Sequence, residues 1–169
     1  GDAVVCTLPP WDLKKLVRPE ALSGAWERLK AAPIVSLCLW LDRPVLSEDE
    51  KLVGLLGTDI QWVFNKTAIF ARDRGPGQYL SLVISGAHKH ISWDPKALLE
   101  VARRDLERCF PSFRKAKIER WKVVKEPFAT LSPVPGSEAV RPTTRTAVPG
   151  LYLAGDWTRT DLPATIESA

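Results

Sequence analysis

Pro149-Gly-Leu-Tyr-Leu-Ala-Gly-Asp-Trp-Thr158 is the stretch on which the fold turns. A turn at Pro149-Gly150 leads into a short apolar strand, Leu151 to Ala154. Gly155 and Asp156 follow, and a helix is predicted to open at Leu162-Pro163. Proline suits a first helical turn, where its missing N–H costs no hydrogen bond. A strand that runs through Gly-Asp into a helix N-terminus is a physically sensible cofactor site. Glycine lets a ligand approach the backbone closely. A carboxylate accepts hydrogen bonds from sugar or polyol hydroxyls. The helix N-terminus offers unpaired N–H groups and a partial positive charge.

At the other end, Asp2-Ala-Val-Val-Cys-Thr-Leu-Pro-Pro10 is a second short apolar run that stops at a proline pair. It fits a strand buried on both faces of a parallel sheet. Between these ends the pattern changes. A short helix is predicted over Asp12–Val17 and a better one over Pro19–Lys30, with Leu22, Trp26 and Leu29 on one face. Ile34 to Leu41 then alternates, with Val35, Leu37, Leu39 and Leu41 on one side and Ile34, Ser36, Cys38 and Trp40 on the other. Strands over 52–56, 60–64, 79–85 and 118–125 follow, joined by turn material at 57–59, 65–66 and 72–77. Such consecutive strands predict an antiparallel sheet. Asp94-Pro95 starts a helix, with Asp94 as N-cap and Leu98, Ala102, Leu106 and Cys109 as its apolar stripe. Glu100 and Arg104 can pair one turn apart on it. Residues 127–149 are rich in proline and loop-like. The expected class is α/β with an α+β middle. Residues 1–10 end one domain, 11–146 form an inserted antiparallel-sheet domain, and 147–169 return to the first.

Composition agrees with a packed protein. Of the 169 residues 45% are hydrophobic and seven are Trp, which argues for a core and against disorder. The longest apolar runs are far too short to span a bilayer. Met is absent, and the segment from Pro163 to Ala169 reads as a helix start without a stop. Both ends therefore read as cut, and the chain as a fragment. The net charge is +4. Its mild basic cluster at Arg103, Arg104, Arg108, Arg114, Lys115 and Lys117 reads as a solvated helix face, with an anionic membrane surface as the alternative. Nucleic acid is not an expected partner, since no aromatic-interleaved stripe or known module is present. The three cysteines are far apart and have no metal-ligand spacing, so they read as small hydrophobes in a reducing compartment, and no metal is expected.

Gly150 to Ala169 closely resembles the C-terminal FAD-binding signature of the flavin amine oxidase and carotenoid desaturase superfamily. Within it, the bacterial hydroxysqualene dehydroxylase group is most similar. Pro33-Ile-Val-Ser-Leu-Cys-Leu-Trp-Leu-Asp-Arg-Pro44 and Gln61-Trp-Val-Phe64 look like the same group. The resemblance implies the C-terminal fragment of a two-domain, Rossmann-like FAD/NAD(P)-binding oxidoreductase with an inserted substrate domain. Gly155 would lie against the FAD, and Asp156 would hold a ribityl hydroxyl. Trp157 would pack beside the site. The helix from Pro163, with the N–H groups of Ala164 and Thr165, would face the pyrimidine end of the flavin. Asp161 departs from the pattern, where glycine is common. Its carboxylate must either point to solvent or shift the redox potential.

A dinucleotide fold also needs a G-x-G-x-x-G turn to hold the pyrophosphate. The ten glycines contain none, so the ADP half of the site is expected in a missing N-terminal half. The implied substrate is a long isoprenoid, and the implied reaction is reductive dehydroxylation of hydroxysqualene to squalene. The rivals are a phytoene or zeta-carotene desaturase, a flavin amine oxidase, and a non-enzymatic binding module without its cofactor half. Trp40, Trp62, Phe64 and Leu82 are candidate walls of a greasy tunnel. His88 and His90 read as an exposed loop pair, and no obligatory acid or base is legible. The expected location is cytoplasmic, with peripheral contact at the inner membrane surface compatible with so apolar a substrate.

Overall fold

A computed structural model of the chain describes residues 2–18, 22, 25–70 and 76–169. In chain order these residues form β1 (Val4–Cys6), α1 (Pro10–Leu13), β2 (Ala31–Leu41), β3 (Leu52–Gly54), β4 (Trp62–Asn65), α2 (Lys66–Phe70), β5 (Gln78–Ser85), α3 (Pro95–Cys109), β6 (Ile118–Leu131) and β7 (Leu151–Leu153). The chain divides into two compact units. One contains residues 1–32 and 128–169, the other residues 33–127.

The continuous unit is built on a five-stranded sheet in the order β3-β4-β5-β2-β6. β2 and β5 run antiparallel with Leu37 opposite Leu82 and Trp40 opposite Tyr79. β4 lies antiparallel to β5 with Val63 opposite Leu82 and Phe64 opposite Ser81. Side chains alternate between the faces of a strand, so one face collects Val35, Leu37, Leu39, Leu41, Val63, Leu80, Leu82 and Ile84, all at most 2% exposed. Leu98, Ala102 and Leu106 of α3 complete the same cluster. Burying each such leucine contributes about 1.5–3 kcal/mol. The N-terminus of α3 is capped as predicted, with the Asp94 carboxylate accepting from Lys96 N at 2.8 Å.

Three local expectations need correction in this unit. Asn65-Lys66 is not a simple turn: Asn65 Oδ1 accepts from Ala68 N at 3.2 Å and opens α2, because asparagine serves turns and N-caps alike. β6 extends through Pro127 to Leu131, which an edge strand tolerates because a missing N–H there breaks no ladder. Glu100 pairs loosely with Arg103, at 3.9 Å, rather than with Arg104. Arg104 is taken by two aspartates.

In the other unit β1 and β7 pair in parallel, with Val4 opposite Leu151 and Cys6 opposite Leu153. Val4 and Val5 are 62% and 61% exposed. The expected burial on both faces is therefore not met, because among the described residues β1 has one neighbouring strand. A second core gathers Leu13, Leu22, Trp26, Leu29, Leu131, Leu153 and Trp157. α1 begins at Pro10, earlier than predicted, with proline in its first turn. Of the helix predicted over 19–30, residues 22 and 25–30 are described, and among them only Trp26–Arg28 is helical, as a 3-10 turn. Most of the turn predicted at 72–77 lies outside the described residues. The units part within β2 and β6, not after residues 10 and 146. Leu13, Trp26 and Leu131 pack with Leu153 and Trp157, which keeps those flanking segments in the first unit.

Candidate cofactor site

β7 carries the chain to the site. Ala154 N donates to Cys6 O at 2.9 Å, which extends the parallel pairing to the edge of Gly155. Gly155 has φ +133, a backbone that side-chain-bearing residues rarely adopt. A Cβ there would lie 3.1 Å from Trp157 Cδ1 and 3.2 Å from its Nε1. Thr158 closes the turn, donating from N and Oγ1 to Gly155 O at 3.1 and 2.9 Å. Trp157 is 2% exposed and meets Trp26 with ring centroids 6.2 Å apart. It is thus a core residue that anchors the loop. Asp156 is half-buried, and its carboxylate has no partner among the described residues.

A residue that sequence reasoning missed organises this loop. The Arg141 side chain is fully buried. Its Nη1 donates to Glu138 Oε2 and Leu162 O, both at 2.6 Å. Its Nη2 donates to Asp156 O at 2.7 Å, to Ser168 Oγ at 2.9 Å and to Thr158 O. The available signal was Glu138-x-x-Arg141, an acid–base pair at one-turn spacing.

The predicted helix from Pro163 is not formed. Pro163 and Thr165 are exposed, Ala164 packs against the second core, and only Ile166–Ser168 makes a turn of 3-10 helix. Asp161 has φ +63 and is exposed. Its departure from glycine therefore falls at a left-handed position, and the carboxylate sits in solvent.

The tunnel candidates separate onto two faces of the five-stranded sheet. Leu82 is fully buried opposite Leu37 and Val63 in the main core. It cannot line a tunnel on the face that carries Trp40, because its strand register points it the other way. Trp40, Phe64 and Trp62 share that other face, Trp62 being 44% exposed. There Trp40 stacks on Tyr79 at 4.6 Å between centroids, with Arg120 3.9 Å above the Trp40 ring. Tyr79 donates to Cys38 Sγ at 3.3 Å, and that bond together with burial pushes its pKa up to about 12.

His88 and His90 do not form an exposed pair. His90 is 7% exposed, and its Nε2 lies 2.8 Å from Asp59 Oδ1. Arg104 Nη2 donates to Asp59 Oδ2 at 2.6 Å and to Asp105 Oδ1 at 2.8 Å. The buried Asp105 also accepts from Asp59 N and Ile60 N. Arg104 first, and His90 after it, hold the Asp59 carboxyl below its ordinary pKa. The network ties the β3–β4 connection to α3 and is structural.

The family model described as flavin containing amine oxidoreductase matches residues 1–169. The chain belongs to that family. It is 29% identical over its whole length to a 15-cis-phytoene desaturase of Solanum lycopersicum, of which it covers 31%. It is also 29% identical, over 99% of its length, to a hydroxysqualene dehydroxylase of Sinorhizobium fredii, of which it covers 36%. Among solved structures, an oxidoreductase from Methanosarcina mazei superposes on 94% of this chain and 38% of its own, with TM-score 0.64 at 20% identity. The chain spans about a third of the length of the curated relatives it matches.

A flavin is the cofactor of this oxidoreductase family, in agreement with the FAD expectation. The residues of the loop fit such a group. The Asp156 carboxylate is an unused acceptor at the C-terminal end of a parallel strand pair, where ligands of open α/β sheets bind. Its neighbour, Gly155, carries no side chain. Among the described residues Trp157 of the loop buries its indole N–H without an acceptor, as do Trp26 and the Nε of Arg141 outside it.

Proposed function

We propose that these residues form the C-terminal part of an FAD-dependent oxidoreductase that acts on a long isoprenoid, by reductive dehydroxylation of hydroxysqualene to squalene. The free Asp156 carboxylate, carried on a backbone that Arg141 pins, is the observation that supports the cofactor half. Asp156 would accept a ribityl hydroxyl. Gly155 would let the cofactor lie against the backbone. When bound, the flavin supplies hydride transfer at N5. The ADP half of the site would come from a further segment. The exposed Val4 and Val5 support this, since parallel sheets are normally covered on both faces.

Trp40, Trp62 and Phe64 would present an apolar wall to the substrate. Similarity to hydroxysqualene dehydroxylase supports dehydroxylation, and equal identity to phytoene desaturase supports desaturation as a second reading. In the first, the allylic carbon gains a hydride, and its hydroxyl takes a proton and leaves as water. In the second, the hydrocarbon loses a hydride and a proton. No helix among the described residues is long and apolar enough to cross a membrane. A substrate that partitions into lipid would place the protein at a cytoplasmic membrane surface as a peripheral visitor.

The visible spectrum of the complete protein tests the cofactor half. Bands near about 375 and 450 nm are expected from a bound flavin. A colourless protein that takes up no added FAD would remove the enzyme reading. Anaerobic turnover with hydroxysqualene, then with phytoene, decides between the two reactions by which substrate is consumed.

A further inference from the structure

We infer that Arg141 is the positioning residue of the cofactor loop: it sets the backbone that presents Asp156. The inference rests on the cofactor reading proposed above. A guanidinium stays charged at any pH the fold survives, and a buried charge is tolerated only when acceptors surround it. Arg141 is wholly buried, and its one carboxylate partner, Glu138, is 63% exposed. Four of its five acceptors belong to the segment 156–168: the carbonyls of Asp156, Thr158 and Leu162, and the Ser168 hydroxyl. That segment has no sheet ladder and only the final 3-10 turn of its own. Its fixed points are thus this cation, the buried Trp157 and the Thr158 bonds to Gly155. The geometry also requires arginine. Nη1 serves Leu162 and Glu138, and Nη2 serves Asp156, Thr158 and Ser168. A lysine ammonium is a point donor and cannot span them.

The test is a double-mutant cycle in the complete protein, read as the FAD dissociation constant of the apoprotein and as its thermal unfolding. Arg141→Lys should weaken FAD binding by about ten- to a hundredfold, the effect of losing charge-assisted hydrogen bonds. Asp156→Asn should weaken it as well. If Arg141 acts through Asp156, the double variant binds FAD no worse than the weaker single variant, within about threefold. A merely structural role multiplies the two losses instead, and that result overturns the inference. Ser168→Ala removes one acceptor without stranding the charge and serves if Arg141→Lys does not fold. It should weaken FAD binding, again without further loss in Asp156→Asn. Unchanged FAD affinity in both Arg141→Lys and Ser168→Ala, with Asp156→Asn weakened, sinks the role of Arg141 alone. Unchanged affinity in Asp156→Asn sinks the cofactor reading itself.

Discussion

Gly155→Ala separates the loop's own mechanics from any service to a ligand. At φ +133 a side-chain-bearing residue is strained, at a cost of about 1–3 kcal/mol. The new methyl would also stand 3.1 Å from Trp157 Cδ1. Trp157 is closed in by Trp26, Leu153 and Leu131, so the ring has little room to yield. Overpacking of this kind costs about 1–3 kcal/mol more. The sum, about 2–6 kcal/mol, is a large part of the stability of an ordinary domain. Urea unfolding of the apoprotein, followed by tryptophan fluorescence, measures it, with Trp26 and Trp157 as reporters inside the affected core. A loss below about 0.5 kcal/mol, the scale of neutral surface changes, would refute the reasoning. A loss seen only with flavin bound would mean that the missing side chain serves the ligand and not the fold.

Leu82→Ala should cost about 3–5 kcal/mol, as large-to-small changes in a closed core do, whereas Trp62→Ser on the opposite face should cost far less; urea midpoints compare them. Asp105→Asn turns one acceptor into a donor facing the backbone N–H groups of Asp59 and Ile60, and a loss of about 3–5 kcal/mol is expected in the same assay. Because Arg104 lowers the Asp59 pKa in the folded state, the associated stability is present above the ordinary carboxylate pKa and lost as pH falls through the lowered one. Arg104→Gln should raise the Asp59 pKa, seen by carboxyl NMR titration, and remove that part of the acid dependence below about pH 4. Asp161→Gly relieves a left-handed backbone at an exposed site and should stabilise by up to about 1 kcal/mol, with a higher melting temperature as the readout.

The legible parts were those with local causes. Alternation in Ile34–Leu41 and the Asp94-Pro95 start identified β2 and α3, because side-chain period and capping are short-range properties. The same alternation already contained the answer for Leu82, which alternates with Ser81 and Val83 and so follows Leu80 and Ile84 into the core. Asp105 was also available in principle: it falls three residues after Ala102 on the apolar stripe, where a carboxylate must have partners. Which partners could not be read, since Asp59 lies 46 residues away. Arg141 stayed hidden for the same reason. Its acceptors are mostly backbone carbonyls, which every residue type carries, so nothing in the letters marks them. The helix start signals at Leu162-Pro163 are local, whereas the backbone there is held by the distant Arg141, which donates to Leu162 O.

The parallel pair that ends at the cofactor loop has a consequence for biogenesis. Val4 leaves the ribosome long before Leu151, its partner. With about 150 residues intervening, and synthesis at about 5–20 residues per second, β1 waits roughly 7–30 s for its neighbour. The intervening unit, residues 33–127, can complete its core during that wait. The loop that carries Asp156 is therefore assembled after that unit.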